Sequence, residues 1–204
     1  MAMHRPRLKV VRRLGTPLPG LTRKSADRKP HPPGAHGVKP ARRRPSEYRR
    51  RLEEKQKVRF NYGITERQLR RYLERARTEP GRTGDALLAL LERRLDNVVF
   101  RLGFAATIPE ARQLVVHGHV RVGETVVNKP GYSVRRGEVI ALGDGAARAA
   151  VLRATGERAH MMALPSYLER QDANPTLGRV IGTPVRADVP VQVQDALIVE
   201  YYAR

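Results

Sequence analysis

The sequence contains no cysteine and no tryptophan, and only 5% of its 204 residues are aromatic. Without cysteine there is neither a disulfide nor a thiolate metal site, and a cytosolic protein is the simplest expectation. So few rings argue against recognition of single strands by stacked aromatic platforms. Apolar runs are short, and none approaches the roughly 18 residues that a membrane-spanning helix requires. The basic N-terminus is not followed by the apolar stretch of a secretory signal. No glycine-rich phosphate loop of the Walker type occurs.

Catalytic groupings are equally scarce. His117 and His119 have strand spacing, but no third ligand is evident, and catalytic zinc takes three protein ligands. Asp96, with Arg93, Arg94 and Asn97 around it, reads as helical charge pairing and not as a catalytic carboxylate. The expectation is therefore no enzyme, no metal and no other cofactor.

The remaining shortage is of acid. Lys and Arg number 40 against 20 Asp and Glu, a formal charge of +20. An excess of this size disfavours compaction through self-repulsion unless a polyanion neutralises it. Nucleic acid is the first candidate, because phosphate contact releases condensed counterions; an anionic membrane surface is the second. Residues 1–60 carry 19 basic and 4 acidic side chains, a net of +15, and residues 61–204 carry 21 and 16, a net of +5.

Eight prolines before residue 46 prevent a continuous helix or sheet there. Two readings compete for residues 1–45: a solubilising disordered tail, or a basic arm that orders on RNA. Arg42-Arg43-Arg44 and then Arg49-Arg50-Arg51 favour the arm, because guanidinium forks match phosphate oxygens bidentately. From Ser46, a plausible N-cap, the pattern is helical with a sparse stripe of Tyr48, Leu52 and Val58. Thr65-Glu-Arg-Gln68 reads as a capping box that opens a second helix. Leu69, Tyr72 and Leu73 form its packed face, with Arg67, Arg70, Arg71 and Arg75 on the rest. A solvated face is the ordinary reading of such arginines. With only three carboxylates between 61 and 80, an RNA-facing surface is the better one. Residues 86–91 are apolar all round, as in a helix buried between layers.

Leu95, Val98, Val99 and Leu102 then make an i, i+3, i+4, i+7 stripe, with Arg94 and Arg101 on the other side. Thr107-Ile-Pro-Glu110 is a second capping box with proline in the first turn. Ala111, Leu114 and Val115 form the buried face of that helix, with Arg112 outside. The period then switches to two: Val120 and Val122 lead through Gly123-Glu124 to Val126-Val127, a hairpin. Tyr132, Val134, Val139, Ile140 and Leu142 supply later strands. The last 44 residues, with four basic and five acidic side chains, suggest small strands and a closing helix that packs back or offers a protein-binding face.

The runs 94–105 and 110–120 resemble the RNA-binding module of the ribosomal S-four family. That module also occurs in pseudouridine synthases, a class of tyrosyl-tRNA synthetases and a heat-shock RNA-binding protein, so an RNA-modifying or other RNA-binding protein that carries it is the alternative. The flanking runs 33–37, 54–59, 62–68 and 197–202 are similar to the ribosomal family itself. The resemblance implies an α+β fold: a mainly helical domain (46–91 and 158–204), an inserted module of two short helices and a small antiparallel sheet (92–157), and a preceding extended basic arm (1–45). It implies binding to the 5′ domain of small-subunit rRNA, nucleation of subunit assembly and an influence on translational accuracy. The implied partners are rRNA, neighbouring small-subunit proteins including the S-five protein, and incoming mRNA, but no membrane. Ile108 stands where the family often has a basic residue, and Gly123-Glu124 replaces a usual Asn-Gly turn. The expected rRNA contacts are Arg42, Arg43, Arg44, Arg49, Arg50, Arg51, Lys55, Lys57, Arg59, Arg67, Arg70, Arg71, Arg94, Arg101, Arg112, Gln113, His117 and Arg121.

Overall fold

The computed structural model describes residues 6–34, 37, 46–143, 145, 163–171 and 174–203. Contacts divide the chain into two units, one of residues 1–87 with 190–204 and one of residues 88–189. Among the described residues there are seven α-helices and five strands in an α+β arrangement.

The first unit is helical. Helix α1 (Arg7–Leu14) begins after Pro6 and stops at Gly15, whose positive φ of 61° lets its N–H reach Val11. Within the span expected as an extended arm there is thus a short helix, because eight residues fit between Pro6 and Pro17. Val11 and Leu18 are buried, and the Gly20 N–H donates to the Asn61 side chain at 2.9 Å, so this stretch packs on helix α2 (Glu47–Asn61). The Ser46 hydroxyl caps α2 by accepting from Arg49 N–H. Helix α3 (Glu66–Ala76) carries the complete capping box, with Thr65 Oγ1 accepting from Gln68 N–H and Gln68 Oε1 from Thr65 N–H. Of the α2 stripe, Val58 is fully buried and Leu52 half-buried, but Tyr48 is 57% exposed. Helix α4 (Thr83–Glu92) crosses the boundary between the units, with Leu87, Leu88 and Leu91 buried.

The second unit holds helices α5 (Leu95–Arg101) and α6 (Ile108–Val116), packed on each other. The strands are β1 (Val120–Val122), β2 (Thr125–Val126), β3 (Val139–Leu142), β4 (Leu168–Gln171) and β5 (Asn174–Val180). They form one antiparallel sheet in the order β2-β1-β3-β5-β4. Gly123, at φ 59°, takes the first central position of the two-residue hairpin, a conformation that side-chain-bearing residues avoid. Val120, Val122, Ile140 and Leu142 face inward, while Arg121 stands out. Where β5 passes beneath α5, residue 178 must be glycine-sized: a Cβ there would lie within 3.0 Å of three Leu102 carbons.

This sheet moves the expected boundary. Residues from about 158 are expected in the helical domain, yet β5 pairs with β3 and β4 with β5, and the division comes after Val189. The reason is non-local: Ile140 and Ala141 find their partners at Gly178 and Leu177. Tyr132 and Val134 lie outside the strands; between them Ser133 makes a single bridge to Arg94. The closing helix is α7 (Asp195–Tyr201), which packs on α2.

Candidate nucleic-acid interface

Three of the expected phosphate contacts belong to the interior. Arg94 is 2% exposed and donates from Nε and Nη2 to Asp96 at 3.0 and 2.7 Å. Asp96, fully buried, also accepts from the Asn97 N–H at 3.0 Å and from Arg112 Nη2 at 2.8 Å. Arg101 donates to the Asp188 carbonyl at 2.6 Å and lies 3.7 Å from Glu92. Glu92, itself fully buried, accepts from Asn97 Nδ2 and from the Tyr167 hydroxyl, each at 2.9 Å. Burial, with the Glu92 charge next to it, pushes the Tyr167 hydroxyl far above the usual phenol range. Lys55, in the helical unit, gives its ammonium to both Glu66 oxygens at 3.1 Å and sits over the Tyr201 ring. These pairings correct the expectation for Lys55, Arg94 and Arg101. A charge that leaves water needs an opposite charge and hydrogen bonds, and each of the three has them.

Two carboxylates are tuned by the same packing. Burial pushes Glu66 up, but the Tyr202 hydroxyl, Lys55 and Arg59 outweigh it and hold the group below the ordinary carboxylate range. Burial likewise raises Asp188, and the N–H groups of Val185 and Ser166, the Ser166 hydroxyl and Arg101 bring it below. Glu110 keeps only half of its expected capping box. Thr107 Oγ1 accepts from Glu110 N–H, while the Glu110 carboxylate reaches back to the Ala106 N–H at 2.6 Å.

The other expected residues divide by unit. In the helical unit, Arg67, Arg70 and Arg71 are exposed on α3. Arg49 and Arg50 are exposed on the first turns of α2 and pair with Glu53 and Glu47 of the same helix. Arg51 pairs with Glu200, Lys57 with Glu54, and Arg59 lies 3.8 Å from Glu66. The pairs of Arg49 and Arg50 are exposed, worth little and open readily to phosphate, whereas Lys57–Glu54 is largely buried. In the second unit, Gln113, His117 and Arg121 are exposed, and Arg112 is half-buried in its pair with Asp96. His117 and His119 stack at 6.2 Å between ring centroids, and no group that could hold a metal occurs among the described residues. Arg42, Arg43 and Arg44 lie outside the described residues. Among the exposed cations outside the N-terminal 45 residues that the sequence does not single out are Arg77, Lys129, Arg135 and Arg136. The doublet Arg135-Arg136, next to the turn at Gly137, is the signal that could have found two of them.

The helical unit also has a groove of about 440 Å³ lined by Tyr48, Arg51, Arg70, Leu73, Glu74, Arg77, Tyr201 and Tyr202. Tyr48 and Tyr201 stand 5.8 Å apart, and Tyr201 meets Tyr202 edge to face at 5.1 Å.

Electrostatically the interior is neutral. Among the described residues the buried charged side chains are Lys55, Arg94 and Arg101 against Glu54, Glu92 and Asp96, three of each sign. Burial of these six therefore consumes none of the basic excess.

Comparison with known proteins gives concordant matches. Residues 2–92 match the family described as "Ribosomal protein S4/S9 N-terminal domain", and residues 93–140 match the S4 domain. The small ribosomal subunit protein uS4 of Nostoc punctiforme is 55% identical over 199 residues, which cover 98% of this chain and 96% of that protein. Its counterpart in Synechocystis sp. is 51% identical over the same shares. In Picosynechococcus sp. the figure is 52% over 206 residues, all of this chain and 99% of the relative.

Proposed function

This chain belongs to the uS4 family of small ribosomal subunit proteins, and from that premise we propose that it is a primary binder of rRNA that acts early in subunit assembly. It is a structural protein of the cytoplasmic ribosome with an RNA-binding S4 domain, serves translation, and is not an enzyme. Its target in this reading is the 5′ domain of small-subunit rRNA. Binding there nucleates the body of the subunit and influences decoding accuracy.

The observation that carries the reading is the neutral interior beneath a strongly basic exterior. Phosphate contacts supply the affinity, and the shape of a folded junction supplies the preference, because exposed rings for base stacking are few. On the S4 domain, Gln113, His117 and Arg121 are the exposed contacts; Arg112 serves while tied to Asp96. Arg49 and Arg50, five and six residues after Arg44, extend the footprint and reach incoming mRNA. The groove at Tyr48 and Tyr201 has the tyrosine and arginine character of protein interfaces, which supports docking of the neighbouring S-five protein there.

Binding of the full chain to 5′-domain rRNA and to scrambled RNA of equal length, each across a salt series, tests the reading. A marked preference for the cognate RNA is expected. Equal affinity with a steep salt slope would reduce the chain to a generic polyanion binder.

A further inference from the structure

The exposed surface of α3 has two flanks of different chemistry. At 100° per residue, Arg67, Arg71 and Arg75 fall on one flank, with Gln68 beside them. Arg70 and Arg77 fall on the other and line the tyrosine groove together with Glu74. Leu69, Leu73 and Ala76 are buried behind both. Glu74, the exposed carboxylate of the helix, falls between the two flanks and lines the groove without an ion pair to Arg67, Arg71 or Arg75, and Glu66 is taken up by Lys55 and Tyr202. Among the described residues no ion pair engages Arg67, Arg71 or Arg75, although pairs engage most arginines of α2.

Spacing adds to charge. Four residues of helix rise about 6 Å, so the three guanidinium groups start from points evenly set along one line. In duplex DNA, successive phosphates of one strand advance about 3.4 Å along the axis, and in any duplex they lie further apart through space as the strand winds. Arginine side chains, long and forked, span the remaining mismatch. Gln68 spends its carboxamide oxygen on the capping box, which leaves N–H donors for the same strand. No large apolar side chain is exposed on α3, and a helix that lies on a membrane needs an apolar face to bury.

We propose that the Arg67–Arg71–Arg75 flank of α3 is a track for the backbone of double-helical RNA, holding three successive phosphates of a single strand. This rests on the rRNA-binding reading above and specifies which geometry of RNA this helix takes.

The test compares the full chain with its Arg67→Gln/Arg71→Gln/Arg75→Gln variant on a base-paired 5′-domain rRNA fragment over 50 to 200 mM salt. On the scale of duplex DNA, each lost phosphate contact flattens the slope of log affinity on log salt by about 0.9, so the triple variant should lose about 2.7. Over that fourfold range the variant's affinity then falls about 40-fold less than that of the parent. The Arg67→Lys/Arg71→Lys/Arg75→Lys triple should keep the slope. Methylphosphonate substitution along the RNA should weaken the parent at three consecutive positions of one strand and leave the Gln variant indifferent there. A preference for cognate RNA that persists with an unchanged slope would overturn the assignment to α3 and spare the ribosomal reading. Sensitivity scattered over both strands would overturn it as well. So would an effect of the triple variant seen only on vesicles of anionic phospholipid. A parent chain blind to cognate RNA would overturn both proposals together.

Discussion

Replacing Asp96 by Asn keeps its size and removes the carboxylate charge that faces a buried arginine. The carboxylate is fully buried and holds two guanidinium groups, Arg94 at 2.7 Å and Arg112 at 2.8 Å, as well as the Asn97 N–H. Arg94, at 2% side-chain exposure, has no route to water. Breaking a buried pair by neutralising one partner costs about 3–5 kcal/mol. Arg112 keeps a third of its side chain in solvent, so its share stays below about 1 kcal/mol. A total near 4 kcal/mol lowers the folding constant of the unit about a thousandfold. For a chain of this size it lowers Tm by roughly 8–16 °C. Urea and thermal melts followed by far-ultraviolet circular dichroism, with hydrogen exchange at the amides of α5, would measure it. Removing both charges, as Arg94→Met with Asp96→Leu, should cost less than Asp96→Asn alone, since no buried charge is then left without its partner. An Asp96→Asn cost under about 1 kcal/mol, or a double variant worse than the single, would refute this account of the pair.

Two further outcomes are expected. Gly178→Ala drives a methyl into Leu102 and should destabilise by about 1–3 kcal/mol; combining it with Leu102→Ala should recover part of that loss in the same melts. Glu66 is held below its ordinary value in the folded chain. Its contribution is therefore complete above the unfolded glutamate value and is lost as pH falls through the lower, folded one. Acid titration of stability should show this decline below the ordinary glutamate range. Glu66→Gln should flatten it, and Tyr202→Phe should move it to higher pH.

Much of this architecture was legible in local chemistry. The capping box at Thr65, the paired helices at 95–116 and the two-residue turn at Gly123 are each written in a few adjacent residues, and each forms as read. The misreadings share one physical cause. Placing Arg94 and Arg101 on an outer face assumed that α5 has one, but all seven of its residues are buried, so apolar periodicity could not tell inside from outside. Lys55 was misplaced because its partners, Glu66 and the rings of Tyr201 and Tyr202, come from two other helices. The boundary near 158 failed for a similar reason: β5 reveals its allegiance only through its pairing with β3. Exposed positions on α3 were easier, since a buried row of Leu69, Leu73 and Ala76 leaves the opposite arginines nowhere else to go.

The latch between α2 and α7 has a consequence in time. Glu54 is satisfied by Lys57 from its own helix and by the backbone N–H of Gln194, which is made 140 residues later. At synthesis rates of about 5–20 residues per second, that interval is roughly 7 to 28 seconds. Throughout it, α2 exists with its basic surface complete and its α7 contact surface uncovered. A transcript cut short before codon 190 would leave the chain in that condition permanently, able to present arginines but unable to close around them.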